Sequence, residues 1–294
     1  MAAATTPAQG NVRQESRSAG ASIITRILLY AVLVLIALFF LLPLLWMFST
    51  SIKPRSEWVT LPLTWIPHNL TWENYTSILA NPTLPIVRWF ANSVGISLIV
   101  TVLVVLIDAM AGYAYARLNF IGRDALFGLL LATLFLPGIM FIVPNFLTVA
   151  RLDWLNTYQG VFVPGLASVF GVFFLRQFFQ SIPKELEEAA FIDGAGPFTT
   201  FFRVVLPLAR PAMATLAIIT FLGSWNDFLW PLLILSDRSM KTLPVGLAEL
   251  QGAYVFEYGP LMAGAVIAAL PVLILYLFLQ RYIVQSVAMT GLKG

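Results

Sequence analysis

Apolar residues in this chain are gathered into long runs, and most charged residues stand in the shorter stretches between them. Six of these runs reach the roughly 20 residues that an α-helix needs to cross a bilayer. They cover residues 27–48, 90–116, 125–147, 160–179, 212–235 and 261–283. Because the runs lack the polar alternation of barrel strands, each predicts a membrane-spanning helix. The expected fold class is an all-α integral membrane protein with six transmembrane helices.

Composition agrees with a membrane protein and suggests how the chain is divided. Only 11% of the 294 residues are charged, and the mean hydropathy is +0.86. A soluble domain carries about 25% charged residues, so contact with lipid explains the deficit. Residues 1–22 contain few apolar groups, and we expect a disordered tail there. The predicted organisation is this tail, a transmembrane domain over residues 23–283 and a C-terminal tail over residues 284–294.

The distribution of positive charge predicts the orientation in the membrane. Six spans place both termini on one side, and that side holds eleven of the 17 Lys and Arg residues. The positive-inside rule makes this side the cytoplasm, so both tails are cytoplasmic. All eight tryptophans fall in the outer loops or outer halves of spans. Residues 49–89 then form a long outer loop, and residues 181–210 form the largest cytoplasmic loop.

Residue types needed for catalysis or metal binding are scarce. The chain has no cysteine, and its single histidine, His68, lies in a proline-rich stretch. We find no phosphate-binding G-x-x-x-x-G-K-[ST] loop and no Ser/His/Asp or Cys/His set. We therefore expect no catalytic residue, no metal site, no cofactor and no nucleic-acid partner. Any energy from ATP must come from another subunit.

The 181–210 loop carries charges, glycines and prolines between two apolar runs, and it predicts two short helices. Glutamates near the start of the first helix complement its dipole, and Gly194 can take the left-handed conformation that ends it. Gly196-Pro197 starts the second helix and Pro207 limits it. One apolar face is predicted for the second helix, formed by Phe198, Phe201, Phe202 and Val205. The loop either packs on its own bundle or is a docking knob for a cytoplasmic partner.

This loop resembles the EAA loop of binding-protein-dependent ABC importer permeases. The family pattern is E-A-A-x3-G-x9-I-x-L-P, and the one departure is Val204 in place of Ile. The residues that match the pattern, or the D-G-A sequence common at its centre, are Glu188, Ala189, Ala190, Asp193, Gly194, Ala195, Leu206 and Pro207. The resemblance implies that this segment is the coupling helix, seated in a groove on the ATP-hydrolysing subunit.

The likeness extends over most of the chain. GYAYARLNFIGRDALF (112–127), LDWLNTYQGVFVP (152–164), SWNDFLWPLLIL (224–235) and QRYIVQSVAMTGLKG (280–294) resemble the maltose-type carbohydrate permeases, in particular the shorter of their two permease subunits. This implies a type I importer permease fold, in the inner membrane of a bacterium or archaeon, that forms half of a carbohydrate pathway. A tail contact with the ATPase is implied for Thr290, Gly291, Lys293 and Gly294.

The resemblance also implies a set of partners. These are a second, homologous permease subunit, two cytoplasmic ATPase subunits that bind ATP and Mg²⁺, and an extracytoplasmic sugar-binding protein. The chain itself would be a non-catalytic transport subunit in contact with lipid and with the carbohydrate.

Acidic residues inside the predicted spans are candidates for the substrate pathway or a gate. A charge at mid-bilayer costs about 2.5–3.5 kcal/mol on insertion scales, so it should face protein or water. Asp227 lies in the outer part of the fifth span beside Trp225 and Asn226, where Gly223 and Pro231 favour a broken helix. This group either contacts substrate, forms a gate or has a structural role.

A second acid, Asp108, lies in the inner half of the second span, nine residues before Arg117. A structural pair or an inner-gate hydrogen bond is favoured there over substrate contact.

Two other functions stay open. The same machinery could import glycerol phosphate or a polyol. Phosphate would favour cationic contacts, whereas the spans carry Lys and Arg only at their ends. An ion-coupled secondary transporter would need more intramembrane ionisable groups than the two acids provide.

Overall fold

The computed structural model describes residues 23–59, 61–253 and 257–291, and it describes side chains at 25–59, 61–249 and 257–278. Within these ranges the chain is helical with no strand, which confirms the all-α fold class. The α-helices of the described residues are α1 (Ile23–Ser51), α2 (Glu73–Leu79), α3 (Ile86–Arg117), α4 (Arg123–Ala132), α5 (Ile142–Arg151), α6 (Tyr158–Phe162), α7 (Val169–Ser181), α8 (Glu185–Ile192), α9 (Pro197–Thr200), α10 (Leu206–Leu208), α11 (Arg210–Trp225), α12 (Leu229–Ile234), α13 (Leu243–Ala253) and α14 (Tyr258–Gly291).

Shorter helical segments with other hydrogen-bond periods connect several of these helices. A π-helical segment covers Phe201–Val205. The 3₁₀ segments of the described residues are Arg55–Glu57, Thr133–Phe135, Gly138–Phe141, Val163–Gly165 and Arg238–Met240.

Three described helices are each long and apolar enough to cross a membrane, namely Thr25–Ser51 of α1, the whole of α3, and Tyr258–Phe278 of α14. The remaining candidate spans are bent pairs. They are Arg123–Phe135 with Gly138–Arg151 (99°), Tyr158–Gly165 with Val169–Ser181 (46°), and Pro197–Leu208 with Arg210–Trp225 (78°). Six spans result when each bent pair counts as one.

Proline accounts for the three bends, because it lacks the N–H that continues an α-helix. Pro137 lies between the halves of the first pair, Pro164 near the end of the first half of the second, and Pro211 in the first turn of α11. The fifth predicted span, 212–235, is also interrupted: α11 ends at Trp225 and α12 begins at Leu229. The broken helix predicted around Asp227 is therefore confirmed.

The chain divides into two compact units, one up to Trp46 and one from Met47. In the first unit, the described side chains from Thr25 to Leu45 are exposed. In the second unit α3 is the central helix and packs along α7 and α11.

Three buried apolar clusters form the core of the second unit. The first joins the last half of α3 to α7, the 181–210 loop and the start of α11. The second joins α2, the first turn of α3 and the end of α11 to α14. The third joins the middle of α3 to α5, α6 and α12. Because α3 contributes to all three clusters, a displacement of this helix would disturb the whole unit.

The loop over residues 49–89 is ordered by hydrogen bonds of its own. The side-chain amide of Asn74 donates to the carbonyl oxygens of Ser51 and Lys53, both at 2.8 Å. The backbone N–H of His68 donates to the Glu57 carboxylate at 3.0 Å, and this hydrogen bond lowers the pKa of Glu57. The helix α2 lies within this loop.

A close approach between α3 and α7 depends on the absence of a side chain at Gly171. The buried carboxylate of Asp108 lies against this glycine, and its Oδ1 accepts a hydrogen bond from the Ser168 N–H at 3.1 Å. A Cβ at position 171 would overlap Asp108 Oδ2, lie 2.9 Å from Cγ and lie 3.1 Å from Cδ2 of Leu216. Asp108 therefore contacts the start of α7, and a side chain at position 171 would have to displace the Asp108 carboxylate.

We expect Gly171→Ala to destabilise the folded chain by about 1–3 kcal/mol, the usual cost of overpacking a filled core. Thermal unfolding of the detergent-solubilised protein measures this cost. Gly128→Ala in α4 is the matched control, because a Cβ there meets nothing within 4 Å.

The double variant Asp108→Ala/Gly171→Ala should be less destabilised than the two single effects added together, because removing the carboxylate makes room for the methyl group. A Gly171→Ala protein as stable as Gly128→Ala would contradict this account of the α3–α7 contact.

Candidate functional site: the 181–210 loop and the cavity beside Asp227

The first half of the 181–210 loop has the helix and turn that its sequence predicts. Three glutamates occupy the first turn of α8, where negative charge is favourable. Gly194 has φ +82°, and the N–H of Ala195 donates to the Ala190 carbonyl at 2.9 Å, which closes the helix end. Gly196 is extended and precedes Pro197, which begins α9. The predicted helix–turn–helix is confirmed.

The second half of the loop differs from the single amphipathic helix that was predicted. The π-helical segment Phe201–Val205 interrupts the 3.6-residue period of the helix. Phe201 and Val205 are buried in the first core cluster, while Phe198 and Phe202 are exposed. The prediction of one shared apolar face was therefore wrong, and two of its four aromatic and aliphatic residues face outward.

The exposed surface of the loop combines acidic, small and apolar side chains. Among the residues of the sequence motif, Glu188, Ala189, Asp193 and Gly194 are exposed, while Ala190, Ala195, Leu206 and Pro207 are half-buried. Around them Ile192 is 86% exposed and Phe198 is 73% exposed. Clustered apolar groups exposed beside polar ones are typical of a protein–protein interface. We call this surface the docking knob, defined by residues 186–198.

Glu187, next to Glu188, is turned toward the core and is only 5% exposed. Its Oε1 lies 2.6 Å from Arg117 Nε, and its Oε2 accepts a hydrogen bond from the Tyr113 hydroxyl at 3.0 Å. Tyr113 and Arg117 are on the last turns of α3. From its sequence position Glu187 is only one of the acids at the start of the helix, and this contact with α3 was not predicted.

A cavity of about 320 Å³ lies beside the break between α11 and α12. Its volume is at the lower end of the range for small-molecule sites. Polar groups reach it from α3, α5, α11 and the segment before α13. These are Ser93, Asn145, Thr220, Ser224, Asp227 and Thr242, and Trp230 and Phe162 add aromatic faces.

Asp227 lines this cavity and also organises the helix break. Its N–H donates to the Ser224 carbonyl at 3.3 Å, and its Oδ1 is 3.5 Å from the Trp230 N–H at the start of α12. The Trp230 indole N–H in turn donates to the carbonyl oxygens of Gly160 and Val161, at 3.2 and 3.1 Å. In this one conformation Asp227 can therefore both stabilise the helix break and present its carboxylate to the cavity.

The other candidate pathway residues do not line the cavity. Trp225 is buried, its ring lies between Phe221 and Phe90, and its indole N–H donates to the Ala268 carbonyl at 3.2 Å. Asn226 is exposed and its side-chain amide donates to the Leu222 carbonyl at 2.9 Å. Asp108 is enclosed between α3 and α7, away from the cavity wall.

The hydroxyl and amide groups of the cavity, such as Asn145 and Thr220, were not predicted from the sequence. Their signal is an isolated polar residue in an apolar run, which is weak because single Ser, Thr and Asn residues are common in spans. Of the proposed tail contact, Thr290 and Gly291 continue the backbone of α14. Lys293 and Gly294 lie outside the described residues, as does the predicted tail 1–22. Within the described residues no group of three His, Asp or Glu side chains could hold a metal ion.

Known proteins are similar to this chain over nearly its whole length. Residues 108–289 match the family model described as binding-protein-dependent transport system inner membrane component. The chain is 40% identical over 267 residues to the arabinooligosaccharides transport system permease protein AraQ of Halalkalibacterium halodurans, covering 90% of this chain and 94% of that protein. It is 34% identical to the trehalose/maltose transport system permease protein MalG of Thermococcus litoralis, covering 92% and 98%.

A solved structure shares the fold. A chain of a bacterial ABC transporter involved in the import of the acidic polysaccharide alginate superimposes with a TM-score of 0.77 at 24% identity, covering 90% of this chain and 99% of that one.

Proposed function

Because this chain belongs to the family of binding-protein-dependent transport system inner membrane components, we propose that it is the permease subunit of an ATP-driven carbohydrate importer. Its curated relatives support carbohydrate as the substrate class. They include permease proteins for arabinooligosaccharides, for trehalose and maltose, and for diacetylchitobiose. Since these relatives differ in their sugars at similar identity, the proposal extends to the class and not to one sugar.

The cavity beside Asp227 is the proposed contribution of this subunit to the pathway. Hydroxyl, amide and carboxylate groups can exchange hydrogen bonds with sugar hydroxyls, and the Trp230 ring can stack on a sugar face. Among the described residues that line the cavity, none is Lys or Arg. A phosphorylated solute would favour cationic partners. The lining therefore favours a neutral carbohydrate over glycerol phosphate.

The docking knob is the proposed contact with an ATPase subunit. One observation carries this proposal: Glu188, Ala189, Asp193 and Gly194 of the EAA-like motif are exposed on a helix–turn–helix beside the exposed apolar side chains of Ile192 and Phe198. On this proposal the knob faces the cytoplasm, and the partner ATPase binds ATP and Mg²⁺. A second homologous permease subunit and an extracytoplasmic sugar-binding protein complete the assembly. This chain hydrolyses nothing; it converts motion of the knob into motion of its spans.

We expect Glu188→Lys to reduce ATP-driven sugar uptake by about tenfold or more, because it reverses an exposed charge within the proposed interface, where charges that no longer complement the partner cost several kcal/mol. The measurement is uptake of radiolabelled arabinotriose, maltose and trehalose into proteoliposomes that hold the complete importer and its binding protein. Unfolding of the variant permease should be unchanged, since Glu188 is exposed.

Glu185→Lys is the matched control for Glu188→Lys. It makes the same charge change in the same first turn of α8 but lies outside the EAA-like motif, so it should reduce uptake much less. Normal uptake by Glu188→Lys would remove the coupling role of the knob. Uptake by the purified single chain, driven by an ion gradient without ATP, would favour a secondary transporter instead.

We expect Asp227→Asn to reduce uptake of the transported neutral sugar by about tenfold, the usual effect of losing a hydrogen bond to a charged group. Asparagine keeps an oxygen that can accept from the Trp230 N–H, so the helix break should persist and the ATPase activity of the complex should remain. Asn226→Ala is the control, since Asn226 is adjacent but does not line the cavity. Equal uptake by Asp227→Asn and Asn226→Ala would limit Asp227 to a structural role.

A further inference from the structure

An ion pair is buried at the point where the docking knob meets the core. The side chains of Arg117 and Glu187 are each 7% exposed. Glu187 is on α8, close behind the exposed residues of the knob, and Arg117 is the last residue of α3. The two elements are separated by the third and fourth spans in sequence, and the carboxylate of Glu187 contacts the end of α3 directly.

The carboxylate of Glu187 has a partner on each oxygen. Arg117 Nε lies 2.6 Å from Oε1, and this is a contact between charges without hydrogen-bond geometry. The Tyr113 hydroxyl donates a hydrogen bond to Oε2 at 3.0 Å. Arg117 also donates through Nη2 to the Ile182 carbonyl at 2.5 Å, which fixes the entry to α8. Tyr113 and Arg117, one turn apart on α3, thus contact both ends of the segment that leads into the knob, Ile182 and Glu187.

Aromatic rings pack around this contact. The Tyr113 ring lies 4.9 Å from the Phe201 ring and 6.0 Å from the Phe179 ring, measured between centroids. Phe179 is near the end of α7, and Phe201 begins the π-helical segment after the knob. The tyrosine therefore sits where α3, α7 and the two halves of the loop converge.

A buried ion pair is a poor device for stability, because its desolvation cost can match or exceed its attraction, and apolar residues of similar size can replace it without loss. Breaking such a pair is costly, because it leaves one charge buried alone. If α8 moves, either the end of α3 must move with it, or the Glu187–Arg117 ion pair must break at this cost in free energy. The arrangement resists separation of the two helices more than it stabilises either.

We propose that Glu187 is a positioning residue that transmits motion of the docking knob to α3 through Arg117 and Tyr113. The proposal rests on the proposed function, since it presumes an ATPase partner that moves the knob. The exposed Glu188 faces that partner, and the buried Glu187 ties the same helix turn to the span that contributes to all three core clusters. Because α3 also supplies Ser93 to the cavity, its displacement changes the cavity.

A cysteine in the cavity can report this transmission, because the chain has no other cysteine. In the complete importer, Val100→Cys places a thiol on the apolar part of the cavity wall. The measurement is the rate at which a membrane-impermeant maleimide reacts with this thiol in proteoliposomes, with and without ATP and Mg²⁺. ATP hydrolysis by the same complexes is measured in parallel, and so is the thermal unfolding of the permease.

We expect ATP to change the labelling rate in the Val100→Cys background and to change it roughly tenfold less after Glu187→Gln, because this variant breaks the ion pair and leaves the Arg117 charge buried without its partner. ATP hydrolysis should persist, because the exposed knob is intact. Tyr113→Phe keeps the ring contacts and loses only the hydroxyl, so its ATP response should be partly reduced. Arg117→Lys, which keeps the charge, should retain more of the response than Arg117→Met. Glu185→Gln, an exposed acid on the same helix, should respond fully.

The outcomes separate transmission from a structural role. A full ATP response in both Glu187→Gln and Tyr113→Phe would overturn the proposal. If these variants respond fully but unfold at a lower temperature, the role of Glu187 is structural only. If Glu187→Gln fails to assemble, Tyr113→Phe decides alone. A Val100→Cys background that shows no ATP response at all would contradict the proposed function itself, and the transmission proposal would fall with it.

Discussion

A helix that breaks inside a membrane releases backbone groups that lipid cannot satisfy, and this protein provides protein partners for them. The fourth span restarts at α7, where Asp108 accepts from the Ser168 N–H. The fifth apolar run restarts at α12, where Asp227 lies beside the Trp230 N–H. Both acids are expensive in lipid, and both lie at a break. Only Asp227 lines the cavity, so the break beside α12 is the one that brings a carboxylate to the proposed pathway.

Two adjacent glutamates on α8 have opposite environments. Glu188 is exposed beside the small and apolar residues of the docking knob, whereas Glu187 is buried against the end of α3. A helix of this length would be marginally stable alone, and it is held by Gly194 at its end and by Glu187 at its base. The outer surface of the loop can therefore move only if the core behind it moves as well. A coupling element needs this property.

Much of the fold was predictable because the governing forces are local. The length of the apolar runs determines the spans, and Gly194 and Pro197 determine the turn of the knob through their backbone preferences. The break beside Asp227 was predicted, but the bends within the three helix pairs were not, because a run of apolar residues predicts the length of a span and not its direction. The Phe201–Val205 face was wrong because a π-helical segment changes the period. The partners of Glu187 on α3 are 70 or more residues away in sequence, which is beyond the reach of any periodicity argument.

The central claim is that the knob faces the cytoplasm and an ATPase covers it there. A single cysteine at the exposed position Asp193, in this otherwise cysteine-free chain, tests the claim in oriented membrane vesicles treated with a membrane-impermeant maleimide. The account predicts labelling in inside-out vesicles stripped of the ATPase, protection when the ATPase is added back, and no labelling in right-side-out vesicles. Labelling in right-side-out vesicles, or labelling in inside-out vesicles that the bound ATPase leaves unchanged, would contradict it.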